Sequence, residues 1–202
     1  MRFIGITGGV GAGKSRVLEY LAQKKGVEVI LTDQVAKDLM EPGGACYEGI
    51  ISMFQEAGIE KTVFLNEDGS LHRLNLAKVL FTEKDLREKL NAYVHPAVKK
   101  EVLRRAELAK QNHVEWLFVE AALLIEEHYD EICDELWYIY ASLEVRRNRL
   151  KESRGYTDQK IDSIVASQKS EDTFREYCKV WINNDGDFAV TKDEIERAMQ
   201  RL

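Results

Sequence analysis

The sequence predicts an α/β fold, a parallel sheet flanked by helices, on three observations. Short apolar segments rich in β-branched residues alternate with stretches of helical periodicity. A glycine-rich loop joins the first of these segments directly to the first helical pattern. One interval of about 80 residues, 34–112, carries helical patterns and no strand, so it reads as an insertion rather than a simple crossover.

Taken in order, Phe3–Ile6 is the first strand, and a helix begins near Lys14 with Val17, Leu18 and Leu21 at helical spacing. Val27–Leu31 is the second strand, closed by Thr32-Asp33. Within 34–112, Ile50, Met53 and Phe54 mark one helix, and Leu71, Leu74, Leu76, Val79 and Leu80 a second. A longer pattern from Leu86 to Val102 is expected to break at Pro96. Pro42-Gly43-Gly44 and Asn66-Glu67-Asp68-Gly69 read as turns. Val114–Val119, Leu136–Tyr140 and Val180–Ile182 supply three more strands, and Lys192–Leu202 a closing helix. This gives one domain with its core at about 1–33 and 113–202 and a helical insertion at about 34–112, where a second substrate could be held.

Composition narrows the function class. The chain has 202 residues, 45% hydrophobic and 32% charged, ordinary values for a folded soluble protein. A net charge of −6 excludes a globally basic nucleic-acid binder but leaves room for a local anion site, because exposed charges are screened beyond about 8 Å. No apolar run approaches the roughly 20 residues that cross a bilayer, and the N-terminus lacks a signal-peptide pattern. Cys46, Cys133 and Cys178 are odd in number and far apart, which argues against a disulfide framework and a structural zinc site; the cytoplasm is the expected compartment.

The chemistry concentrates in Gly8–Ser15, which reads G-G-V-G-A-G-K-S and fits G-x-x-x-x-G-K-[ST] between a predicted strand and a predicted helix. Glycines at 8, 9, 11 and 13 let the backbone approach a ligand closely, so that successive N–H groups, with Ala12 among them, turn toward phosphate oxygens. The start of the helix adds unpaired donors and partial positive charge. Lys14 is expected to reach the β- and γ-phosphates, and the Ser15 hydroxyl to take one position on Mg²⁺. This is the signature of a P-loop nucleotide triphosphate site. No N-K-x-D tetrapeptide is present to read guanine, and Leu136–Tyr140 runs into Ala141-Ser142 without a metal-holding aspartate. Small size and a helical insertion favour a kinase of small molecules.

Asp33, just past the second strand, falls at the carboxyl edge where open α/β sheets hold ligands. If the first two strands are neighbours, it is a candidate base for a hydroxyl attacking the γ-phosphate, or a Mg²⁺ group through water. The alternative is an N-cap for a helix starting near Gln34. Arg146, Arg147, Arg149, Lys151 and Arg154 form the densest basic run, either a guanidinium clamp on phosphate or a solvated face. His95, ahead of Pro96, either donates to a substrate phosphate or caps a turn, and Trp116, Trp137 and Trp181 are expected in the core.

Along nearly the whole chain these residues resemble the dephospho-coenzyme A kinases. The Gly5–Ser15 segment is similar to the family's opening, Asp33-Gln34-Val35-Ala36 with Glu41-Pro42-Gly43 to its D-x-V-A…P-G, and Asp68-Gly69, Arg73, Leu80-Phe81 and Val94-His95-Pro96 to its next motifs. Leu123-Leu124 with Glu126, then Arg149, Ser167-Gln168 and Asn184-Asp185-Gly186 resemble the rest. The resemblance implies ATP-dependent phosphorylation of the 3′-hydroxyl of dephospho-CoA, giving CoA and ADP. It implies ATP and Mg²⁺ as cofactors, no nucleic-acid or membrane partner, and a monomer or small homo-oligomer.

The resemblance also implies that the insertion at about 34–112 binds substrate and that a lid at about 146–160 closes over the phosphates. Carried over residue by residue, it makes Asp33 the base, with Lys14 and Ser15 on phosphate and Mg²⁺ and Arg149 the lid arginine. Arg16 follows the phosphate loop, Asn184 and Gly186 lie near adenine, and Thr7, Arg73 and His95 fall on the substrate side. The sequence departs from the family pattern at Leu31 (for a carboxylate), Ala122 (for proline), Arg16 (for threonine) and Arg146 (for glutamine). It departs also at Cys178-Lys179 and in the spacing from Arg149 to Arg154. Another small-molecule kinase and a non-catalytic nucleotide- or CoA-binding relative are the alternatives.

Overall fold

The computed structural model describes residues 1–201. The chain runs β1 (Arg2–Thr7), α1 (Lys14–Ala22), β2 (Val27–Leu31), α2 (Thr32–Met40), α3 (Tyr47–Glu56), α4 (Lys61–Phe64), α5 (Arg73–Thr82) and α6 (Lys84–Gln111). It continues with β3 (Trp116–Glu120), β4 (Glu135–Tyr140), α7 (Leu143–Arg154), α8 (Asp158–Ala166), α9 (Glu171–Tyr177), β5 (Val180–Asn183) and α10 (Phe188–Gln200).

The strands form one parallel sheet in the order β2-β3-β1-β4-β5. β1 is therefore central, pairing with β3 (Ile4 opposite Phe118) and with β4 (Ile6 opposite Trp137). This corrects one expectation: β1 and β2 are not neighbours, because β3 lies between them. A strand reached through a long helical insertion returned to the middle of the sheet, where its Leu117-Phe118-Val119 run is buried on both faces.

Two compact units result, residues 1–29 with 109–202, and residues 30–108. In the first, Ile4, Ile6, Val17, Leu21, Phe118, Trp137 and Ile139 make the core with Ile182, Phe188 and Ile195 from the last strand and helix. Trp137 is fully buried, while Trp116 packs half-buried at its edge, stacked on Phe118 at 6.0 Å between ring centroids. Gly5 is required in β1, since a Cβ there would stand 2.6 Å from Leu136 Cδ2. The second unit is helical apart from the last two residues of β2 and a bridge of Leu65 with Leu71. Phe54 and Phe64 meet there at 5.1 Å, among buried Ile50 and Leu71.

Three further boundaries differ from expectation. Pro96 does not break the long helix: α6 runs 28 residues through it. Leu86, Leu90, Val94, Val98 and Val102 recur every four residues and are all buried, so a single apolar stripe spans both sides of the proline and outweighs its missing hydrogen bond. α2 begins at Thr32, so Asp33 sits inside its first turn rather than capping it. α10 begins four residues before the expected Lys192, because Asp187 Oδ1 accepts the Ala189 N–H at 2.9 Å; Leu202 lies outside the described residues. No helix among the described residues is long and apolar enough to cross a membrane, and Cys46, Cys133 and Cys178 are buried.

Candidate active site

The loop between β1 and α1 has the backbone its glycines predict. Gly11 and Gly13 adopt φ of 80° and 88°, the left-handed region that side chains disfavour. A Cβ on Gly8 would stand 2.5 Å from the Ile139 carbonyl oxygen, and one on Gly9 would overlap the Arg146 guanidinium. Ala12 closes a turn by donating to the Gly9 carbonyl at 3.0 Å. Gly13 occupies the N-cap position of α1, where no side chain caps the helix and no acid stands in its first turn. The helices α8, α9 and α10 are instead capped by Thr157, Ser170 and Asp187. The start of α1 thus keeps its partial positive charge for a ligand anion.

Side chains from distant segments hold this loop from behind. The Asn184 Nδ2 donates to the Ala12 carbonyl at 2.7 Å, and Arg149 bridges the Ala12 carbonyl at 3.3 Å and the Asn184 carbonyl at 2.7 Å. Arg146 Nε donates to the Val10 carbonyl at 2.8 Å and its Nη2 to Gln168 Oε1 at 2.6 Å. Burial lowers the Arg146 pKa from its ordinary value, offset in part by Tyr138 and Glu171 nearby, and it remains a cation at neutral pH. Tyr138 beside it is pushed up to about 12 by burial, so it stays a neutral phenol.

The basic run therefore divides by function. Arg146 and Arg149 face the loop, whereas Arg147 pairs with Asp158 and Asp162, and Lys151 with Asp158, tying α7 to α8. Arg154 lies over the Tyr156 ring at 5.9 Å. These exposed pairs add little stability.

Lys14 Nζ donates to the Gly8 carbonyl at 2.8 Å and stands 3.8 Å from Glu120 Oε1. Glu120 was not foreseen in the sequence. It ends the apolar strand β3, in register with Ile6 of β1, so a carboxylate comes to the carboxyl edge beside the phosphate loop. The signal was present, since Leu117-Phe118-Val119 runs straight into Glu120. The Ser15 hydroxyl and this carboxylate are hard oxygen donors, the kind that suits a magnesium ion. Thr7 is buried at the end of β1, and Arg16 stacks over Phe188 at 4.1 Å. Gly186 stands two residues past Asn184, whose side chain is used at both ends: its Oδ1 also accepts the Thr191 hydroxyl at 3.1 Å.

The helical unit carries Asp33, Arg73 and His95. Asp33 is exposed on the first turn of α2, Arg73 is exposed at the first turn of α5 and ion-paired with Glu41, and His95 is half-buried in α6. The structure gives His95 a mid-helix position rather than a turn.

Comparison with known proteins fits this arrangement. A dephospho-CoA kinase family model matches residues 2–189. A dephospho-CoA kinase from Streptococcus mutans is 34% identical over 202 residues, covering 100% of this chain and 98% of its own. A crystal structure from Thermus thermophilus has a TM-score of 0.75 at 25% identity, covering 100% of this chain and 97% of that one. A dephospho-CoA kinase from Campylobacter jejuni shares the fold, with a TM-score of 0.73 at 21% identity over 99% of this chain and 96% of its own. A phosphate loop backed by buried cationic and amide side chains, on a sheet of this order and within a match of nearly full length, establishes that this chain belongs to the dephospho-CoA kinase family.

Proposed function

We propose that this chain transfers the γ-phosphoryl group of ATP to the 3′-hydroxyl of the ribose of dephospho-CoA, giving CoA and ADP. The observation that carries the reading is the uncapped start of α1, with its loop carbonyls turned back and held by Arg146, Arg149 and Asn184. Carbonyls drawn to the rear leave the N–H side of the loop for anions.

In this reading the main-chain amides of Gly8–Ser15 receive the phosphate tail of ATP, and the Lys14 ammonium takes β- and γ-phosphate oxygens. Ser15 and Glu120 would hold Mg²⁺, which when bound neutralises phosphate charge. Arg149, tied to the loop through Ala12, stabilises charge on the phosphoryl group in transfer. Asp33 accepts the proton of the 3′-hydroxyl as that oxygen bonds to the γ-phosphorus and the bond to the β-γ bridging oxygen breaks. Arg73 and His95 meet the anionic substrate, Arg73 exchanging Glu41 for a substrate phosphate. Gly186 and the backbone after Asn184, with Arg16 on Phe188, serve the adenosine side.

Three cysteines, odd in number and far apart in the chain, accord with a reducing compartment, and we place the activity in the cytoplasm, in a monomer or small homo-oligomer. The test is incubation with ATP, Mg²⁺ and dephospho-CoA, followed by mass detection of the product. CoA formed at enzyme-like rates supports the assignment. Tight ATP binding without any CoA defeats it and points to another hydroxyl acceptor or a binding role.

A further inference from the structure

The cation behind the phosphate loop holds a loop carbonyl but meets no phosphate in the chemistry above, and its surroundings are unusual. Arg146 is only 8% exposed, on a helix where Arg147 and Lys151 pair with surface carboxylates and Arg149 is the other arginine turned to the loop. Its Nε donates to the Val10 carbonyl at 2.8 Å, and its Nη2 donates to Gln168 Oε1 at 2.6 Å. The same Oε1 accepts the Val10 N–H at 3.4 Å. Two side chains, from α7 and from the turn between α8 and α9, thus grip both polar groups of one loop residue. The guanidinium also fills the space that a side chain on Gly9 would need.

What this clamp lacks is a carboxylate in direct contact, Glu171 acting on it only at longer range. Its neighbour Arg147 has two aspartates, but Arg146 makes no ion pair among the described residues and leans on an uncharged glutamine. A buried cation ordinarily brings a carboxylate with it, because removing a charge from water is costly.

We infer that Arg146 is a positioning residue for nucleotide binding: it fixes the Val10 peptide so that the loop keeps its anion-facing shape, and the charge left unpaired beside Gln168 biases that loop toward the most highly charged phosphate chain. The inference rests on the reading of Gly8–Ser15 as the ATP phosphate site. In effect the bound polyphosphate is the counter-ion of Arg146, reached through the loop rather than by contact.

Gln168→Glu separates charge from geometry. It retains the oxygen that accepts from Arg146 and Val10 while adding one negative charge, which the guanidinium keeps ionised. Arg146→Gln removes the cation and Arg146→Lys retains it. The wild type and the three variants are titrated calorimetrically with ATP, ADP and AMP in the presence of Mg²⁺, and their melting temperatures are measured. Gln168→Glu is expected to melt at or above the wild type yet bind ATP about tenfold more weakly, with a smaller loss for ADP and little for AMP. Arg146→Gln should show the same order of losses, and Arg146→Lys should restore the preference for the triphosphate.

A merely structural role would move melting temperature and leave the nucleotide order alone. Wild-type ATP affinity in Gln168→Glu, or equal losses for all three nucleotides, overturns the inference. Should Arg146→Gln fail to fold, Gln168→Glu decides by itself. A wild type that binds no ATP instead brings down the phosphate-site reading and the inference with it, an outcome distinct from a binding wild type beside an indifferent Gln168→Glu.

Discussion

Replacing Asn184 by alanine is a sharp test of how the loop is held. The residue is 3% exposed, its Nδ2 donates to the Ala12 carbonyl at 2.7 Å and its Oδ1 accepts from the Thr191 hydroxyl at 3.1 Å. Truncation deletes both bonds, with unequal consequences. The Thr191 hydroxyl still has the Asn183 carbonyl at 2.9 Å. The Ala12 carbonyl is left with Arg149 at 3.3 Å, a long bond. The loss is one short buried hydrogen bond plus an amide-sized void, about 1–3 kcal/mol. For a chain of this size that lowers the melting temperature by about 3–10 °C. The Ala12 carbonyl belongs to the same peptide as the Gly13 N–H that opens α1, so ATP affinity should fall about tenfold as well. Thermal unfolding and calorimetric titration with ATP measure the two effects. A variant that melts and binds like the wild type would refute the idea that Asn184 anchors the loop.

Asp33→Asn should lower turnover by roughly 10² to 10⁴-fold with ATP affinity little changed, and steady-state kinetics with undiminished turnover would remove it as the base. Arg104, with Arg105, holds the Glu101 carboxyl down to about 2 from an ordinary 4.5. Its folded pKa is depressed, so its contribution is present above pH 4.5 and lost as pH falls toward 2. Glu101→Gln should therefore cost up to about 1 kcal/mol at pH 7 and nothing near pH 2, and a pH-independent difference in urea unfolding would contradict the pairing. Pro96→Ala should stabilise the fold by about 1–3 kcal/mol, because an exposed proline regains an N–H for the Ala92 carbonyl; a loss of stability in thermal unfolding would show that the ring packs usefully.

Where local chemistry decides, the sequence was a good guide. The first strand, the Gly8–Ser15 loop and α1 follow from glycine spacing and apolar periodicity, and β2 was read to its observed ends. Where distant segments decide, it was not. No pattern near Phe3 shows that β3 rather than β2 will lie beside it. Arg146 and Arg147 are adjacent and alike in sequence, yet one grips Val10 and the other two surface aspartates, because a helix turns successive residues through about 100°. The Asn184 side chain holds Ala12 and Thr191, partners 172 and 7 residues away, and no local pattern announces the first of these. Pro96 was overread because a local rule about helix interiors ignored the buried stripe that continues past it.

The central place of β1 has a consequence for biosynthesis. Its first hydrogen-bonded neighbour, Trp116 opposite Arg2, lies 114 residues later, and its second, β4, later still. At a translation rate of about 5–20 residues per second, the apolar Phe3-Ile4-Gly5-Ile6 ribbon leaves the ribosome roughly 6–23 s before any strand exists to pair with it. The sheet cannot be built outward from its first strand as it emerges. It closes around that strand late, and until then the nascent chain must shelter its stickiest segment.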